Sequence, residues 1–169
     1  MTSRARATVV LRPMTDDELA AYVPWAIDNL AAEVARARGV TAAQARALAQ
    51  SRVDAVLPGG RPRPGEAFPL AIVDGAGPTA RRHGTILAGL DRSLGPVRLY
   101  LYDLVIDAPA RRRGLGRAAM VALEAFAAAR GVHTIALNVF GHNAVAEALY
   151  RSLGYVAEHT AMAKRLGAP

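Results

Sequence analysis

The stretch Asp103–Met120, DLVIDAPARRRGLGRAAM, changes character twice. An apolar run ends at Ile106, an irregular turn follows, and three arginines then meet two glycines at the start of an alanine-rich segment with helical spacing. Two readings are open at this point: an arginine patch for a nucleic-acid backbone, or a small backbone cradle for phosphates. Gly114 and Gly116 fall where a helix has free N–H groups; glycine admits close approach of a ligand, and a helix N-terminus favours negative charge. A pyrophosphate fits such a turn, and packing of the helix against the strand would account for the same glycines.

Before this turn, Val97–Ile106 (VRLYLYDLVI) is the strongest strand signal, rich in β-branched and aromatic residues and too apolar for a face open to water, so it is expected inside a sheet. Thr8–Arg12 reads as a first strand, broken by Pro13. Thr15-Asp16-Asp17-Glu18 is a capping-box pattern, and Leu19, Val23, Ile27, Leu30 and Val34 recur at helical spacing up to Gly39. Thr41–Gln44 repeats the pattern for a second helix carried by Ala45, Leu48 and Val56 as far as Pro58. Pro58–Glu66 (PGGRPRPGE) is loop-like. Phe68–Val73 and Gly84–Leu90 read as strands around a turn region at Asp74–Arg82.

After the turn, Leu115–Arg130 is predicted helical, stopped by Gly131, with Thr134–Phe140 the next strand. Asn143–Leu153 reads as a shorter helix capped by Asn143 and ended by Gly154. Tyr155–Glu158 with Thr160–Arg165 is expected to form a final hairpin. Two helices after the first strand, then strands, then strand-helix-strand-helix describe a mixed α/β (α+β) domain spanning 1–169.

The composition narrows the function classes. Cysteine is absent, which removes disulfides, thiolate metal ligands and a cysteine nucleophile, and suits a cytoplasmic protein. The four histidines show no metal-ligand spacing, so no metal is expected. No run approaches the roughly 20 apolar residues of a membrane span, and the N-terminus lacks the apolar core of a secretory signal. A net charge of +7 favours anionic partners, and 20 of the 21 basic residues are arginine. Low aromatic content argues against the stacking platform of a single-strand-binding module.

Two motifs then converge. Arg111-x-x-Gly114-x-Gly116 follows the strand ending DLVID, and Asn138–Tyr155 (NVFGHNAVAEALYRSLGY) places Asn143, Ala146, Leu149, Tyr150, Gly154 and Tyr155 in the pattern Asn-x-x-Ala-x-x-Leu-Tyr-x-x-x-Gly-Tyr. Together they resemble the GCN5-related N-acetyltransferase family. The resemblance is specific over Val97–Arg165 and architectural over Thr8–Leu90. It implies a mostly antiparallel twisted sheet with a parallel central strand pair splayed to hold CoA, an acetyl-CoA-binding core at 97–165, and an acceptor-shaping segment at 8–92. It further implies that Leu104, Val105 and Ile106 pair with the pantetheine arm, and that Arg111, Arg112, Arg113, Gly114, Leu115, Gly116 and Arg117 line the pyrophosphate loop. Asn143 would contact the cofactor arm and Tyr150 would stand near the sulfur as proton donor. The family often carries proline where Ala108 stands and glycine where Arg112 stands.

The implied activity is acetyl transfer from acetyl-CoA to a primary amine of a small molecule or peptide, with no nucleic-acid or membrane partner expected and a homodimer left open. A catalytically idle CoA-binding protein and an arginine-rich nucleic-acid-binding module are the alternatives. The family position that frequently holds a catalytic glutamate falls on Tyr100, which leaves Asp103 as the nearest carboxylate on that strand. His142 is a weaker base candidate beside the Asn143 cap. Glu33, on the first helix, could hold a cationic substrate or simply face water.

Overall fold

The computed structural model describes residues 8–75, 77, 79–93 and 95–164. Strand β1 (Val10–Pro13) leads into helix α1 (Asp16–Arg38) through a complete capping box: the Thr15 hydroxyl accepts from the Glu18 amide at 3.2 Å and the Glu18 carboxylate accepts from the Thr15 amide at 2.9 Å. Arg12 reaches the same carboxylate with both terminal nitrogens, at 2.6 and 2.8 Å, so β1 and the start of α1 are tied together. Gly39, at φ 62°, turns the chain out of α1 in the left-handed conformation that glycine accepts without strain. Thr41 and Gln44 form the second capping box, opening α2 (Ala42–Val56). Both helix starts therefore lie where the Thr-x-x-Glu/Gln spacing predicts.

Strands β2 (Ala67–Val73), β3 (Arg82–Asp91) and β4 (Arg98–Ile106) are followed by α3 (Leu115–Ala128), the short β5 (Ile135–Leu137) and α4 (Ala144–Arg151). The sheet order is β1-β2-β3-β4-β5, antiparallel through β4 and parallel between β4 and β5. Pro13 does not break β1 but closes it, opposite Leu70; an edge strand tolerates a residue that cannot donate to the ladder.

Apolar side chains cover both faces of the sheet. On one face, Leu70, Ile72, Ile86, Ala88, Leu99 and Leu101 pack against Leu115, Ala119, Met120 and Leu123 of α3. On the other, Ala67 and Leu87 meet Leu19, Tyr22, Ala26 and Ile27 of α1 and Ala49 and Val53 of α2. At about 25 cal/mol per Å² of apolar surface, these two layers are the main source of stability.

Two irregularities shape the functional end. The β3–β4 register passes from Leu87↔Asp103 to Ala88↔Leu101, so Tyr102 is a bulge residue without a partner. Side chains alternate along a strand, and one extra residue reverses the alternation beyond it. Leu99 and Leu101 thus share the α3 face with Leu104 and Ile106, while Asp103 turns to the α1 face. In addition, the parallel ladder spans only Leu99↔Ile135 to Leu101↔Leu137, whereas β4 continues to Ile106. Among the described residues, no strand lies beside the last residues of β4 on that edge.

The expected final hairpin is not formed. Among the described residues, 155–164 contain no strand, and Val156 and Met162 are 80% and 92% exposed. Their apolar side chains cover nothing, which removes the usual reason for a strand to dock. Arg165, the end of that expected hairpin, lies outside the described residues.

Candidate active site

The end of β4, the start of α3 and one side of α4 meet where the sheet loses its parallel partner. Helices α1, α2 and α4 all begin with a side-chain cap, from Thr15, Thr41 and Asn143. Helix α3 does not. Its N-cap is Gly114, at φ 80°, which brings no side chain to its first-turn amides. Those amides and the helix dipole remain available to an anion.

The residues expected around this turn take different roles. Arg111 donates from Nε to the Ile106 carbonyl at 2.9 Å and braces the turn against the end of β4. Arg112 sits at φ 62°, the only non-glycine among the described residues with positive φ, at the position where the family often has glycine. Arg113 is exposed. The Leu115 side chain is buried in the core, so only its backbone can face a ligand. At Gly116 an added Cβ would lie 3.4 Å from Leu149 Cδ2 and 4.0 Å from Ile106 Cγ1, so this glycine is also where α3 and α4 approach each other. Arg117 reaches the Ser152 hydroxyl at 2.5 Å and fastens α3 to the end of α4.

Asn143 accepts from the Ala146 amide at 3.2 Å and caps α4. Tyr150, one face-length further along that helix, is half-buried; burial and then the negative charge of Asp103 push its hydroxyl up to about 12. A phenol held there keeps its proton at neutral pH. Its ring lies 5.8 Å from that of Tyr155, whose buried hydroxyl has no hydrogen-bond partner. An unsatisfied buried hydroxyl costs free energy.

Asp103 accepts a hydrogen bond from the Tyr22 hydroxyl at 2.9 Å. Burial raises its carboxyl to about 6, against the opposing effects of Tyr22 and the Leu104 backbone. Tyr22 was not among the residues singled out by sequence; the signal that could have found it is a polar-tipped aromatic on the buried face of α1 with Leu19 and Ala26. A cleft of about 240 Å³ that shares Tyr22 is lined by Ala21, Tyr22 and Trp25 of α1, Arg82 and Thr85 of β3, and Val105 with Asp107; Asp103 is not in its lining. A larger cleft of about 410 Å³, beside Pro13, Phe68, Phe126 and Arg130, contains none of the motif residues.

The remaining candidates are held elsewhere. His142 pairs with Glu33 and stacks on Phe140 with centroids 5.5 Å apart, so the loop before α4 is tied to the later half of α1. Glu33 is engaged and not simply facing water. Tyr100 packs on Tyr102 at 4.8 Å. Among the described residues no group of three metal-ligating side chains is assembled, and no helix is long and apolar enough to cross a membrane.

This architecture has close counterparts. Residues 63–155 match the acetyltransferase (GNAT) family, and the chain belongs to it. It is 25% identical over 162 residues to YycN, an uncharacterized N-acetyltransferase of Bacillus subtilis (strain 168), covering 94% of this chain and 99% of the relative. YdgE, another uncharacterized N-acetyltransferase of that strain, is 26% identical over 156 residues, covering 92% and 97%. The crystal structure of YycN superimposes with a TM-score of 0.84 at 24% identity, covering 95% of this chain and all of that one. That of a GCN5-related N-acetyltransferase from Ralstonia eutropha JMP134 gives 0.62 at 24% identity, covering 94% and 98%.

Proposed function

We propose that the chain transfers an acetyl group from acetyl-CoA directly to a primary amine of a small molecule or peptide in the cytoplasm. The observation that carries this reading is the pairing of an uncapped, arginine-flanked α3 N-terminus with the partnerless end of β4, beside Tyr150 and Asp103. The acetyl donor fits these residues. Amides of the Gly114–Arg117 turn would receive the pyrophosphate, and the Leu104–Ile106 edge and Asn143 the pantetheine arm.

In this mechanism the amine nitrogen forms a bond to the acetyl carbon and the carbon–sulfur bond breaks. Asp103 takes the proton that the nitrogen loses, directly or through water, and Tyr150 gives its proton to the departing thiolate. Both groups return to their starting states by exchange with solvent. With a carboxyl near 6, Asp103 is mostly ionised at neutral pH and is a stronger base than an ordinary aspartate. The N–H groups near Leu104 and Val105 would face charge developing on the acetyl oxygen.

Thermal unfolding with acetyl-CoA tests the donor, and CoA release with an amine library tests the transfer. A hundredfold excess over Kd should stabilise the fold by about 2.7 kcal/mol. A melting curve unmoved by acetyl-CoA but raised by short DNA at physiological salt would replace this reading with nucleic-acid binding. Stabilisation without thiol release for any amine would identify an idle CoA-binding protein.

A further inference from the structure

Groups from three elements surround the Asp103 carboxylate. Tyr22 of α1 donates to it at 2.9 Å, the Leu104 backbone of β4 favours its charged form, and Tyr150 of α4 stands within its field. The β3 residue in register with it is Leu87, which offers no polar group. Tyr22 is 5% exposed, and its ring belongs to the apolar layer between α1 and the sheet. Phenylalanine would fill that layer equally well. The hydroxyl is therefore the part that packing does not require, and it goes to a carboxylate that a bulge has turned out of the opposite core.

We infer that Tyr22 is a positioning residue for acyl transfer: its hydroxyl fixes the orientation of Asp103 and favours the carboxylate form that accepts the amine proton. Tyr22 also lines the 240 Å³ cleft with Trp25, Val105 and Asp107, so this one side chain borders both the Asp103 carboxylate and a space of α1, β3 and β4 residues. Helix α1 then contributes to the chemistry as well as to the wall of the acceptor site. The inference rests on the acetyl-transfer reading. It adds a residue from outside the two sequence motifs.

The signs follow from the donor's role. A hydroxyl that donates to the carboxylate lowers its affinity for a proton, so removing it makes Asp103 harder to ionise. In Tyr22→Phe the acid limb of the kcat/KM profile should move up by about one pH unit, with most activity recovered at high pH. The carboxyl-carbon NMR titration of Asp103, assigned with Asp103→Asn and followed without any substrate, should move the same way. Incorporating 3-fluorotyrosine at Tyr22 gives a stronger donor in the same volume and should move limb and titration downward; it also serves if Tyr22→Phe folds poorly.

A lower Tm with both titrations unmoved would overturn the inference and leave Tyr22 as packing. Active enzyme with an unmoved Asp103 titration would sink this inference while leaving acetyl transfer intact. A shifted titration in a protein that releases no thiol with any amine would overturn the transfer reading, and the catalytic purpose assigned to Tyr22 with it.

Discussion

Asp103 is held at a cost that should be measurable. Its carboxyl sits near 6 in the folded chain, above the ordinary value of 3.8, so folding favours the protonated form. The stabilisation from that proton is fully present below about pH 4 and is lost as pH rises through 6. At neutral pH the fold therefore carries an ionised, desolvated carboxylate worth roughly 1–3 kcal/mol of destabilisation. Asp103→Asn keeps an acceptor for Tyr22 and removes the charge. Urea unfolding should find this variant more stable than the parent at pH 8, with the gap closing toward pH 4. A constant loss of stability at every pH would mark Asp103 as an ordinary structural acceptor. A carboxylate inside VRLYLYDLVI was visible in the sequence as an anomaly. Its partner was not, because the helical spacing of α1 is satisfied by Leu19 and Ile27, and Tyr22 on the same face reads as one more core residue.

The loop–helix junction separates charge from backbone shape. Arg112 occupies a left-handed conformation that costs a side-chain-bearing residue about 1 kcal/mol, whereas Gly114 adopts its φ of 80° without that cost. Arg112→Gly should leave stability unchanged or raise it by up to about 1 kcal/mol, and should weaken acetyl-CoA binding only modestly and in a salt-dependent way. Gly114→Val should weaken binding more, at low and high salt alike, because it distorts the turn that aims the amides. Calorimetric Kd values at two salt concentrations decide this; a larger loss from Arg112→Gly at both would mean that the arginine binds by direct contact. The helices were legible in sequence where local chemistry marks their ends: two Thr-x-x-Glu/Gln boxes, Gly39, Asn143. Strand β4 was legible as a strand, but its bulge was not. An apolar run with no alternation gives no sign of the position at which sidedness reverses. Strand β5 proved shorter than Thr134–Phe140 suggests because pairing ends where β4 and β5 part.

Across the whole molecule, α1 is tied to α2 through Asp28–Arg46, and beyond it to β1 through Arg12–Glu18, β4 through Tyr22–Asp103, and the segment before α4 through Glu33–His142. The last tie is a partly exposed histidine–carboxylate contact and should contribute no more than about 1 kcal/mol to stability. Its effect should be local. In Glu33→Gln, amide hydrogen exchange should quicken in the later half of α1 while β3 and β4 keep their protection, and KM should change for the amine more than for acetyl-CoA. Equal changes for both substrates, or no change in exchange, would remove this tie from the acceptor site.

The bulge at Tyr102 also sets which kind of mutation can create or erase this chemistry. Deleting Tyr102 would remove the extra residue together with the bulge, leaving Leu101 opposite Ala88 and Asp103 opposite Leu87 on the α1 face, whereas a slip that pairs Tyr102 with Leu87 would put Asp103 in the layer of Leu99 and Leu101 and carry Leu104 toward the α1 side. The carboxylate's address is thus written in the pairing between β3 and β4, with the extra residue bulged out. For a lineage carrying this strand, a change that lets this register slip is a larger functional step than loss of the extra residue itself.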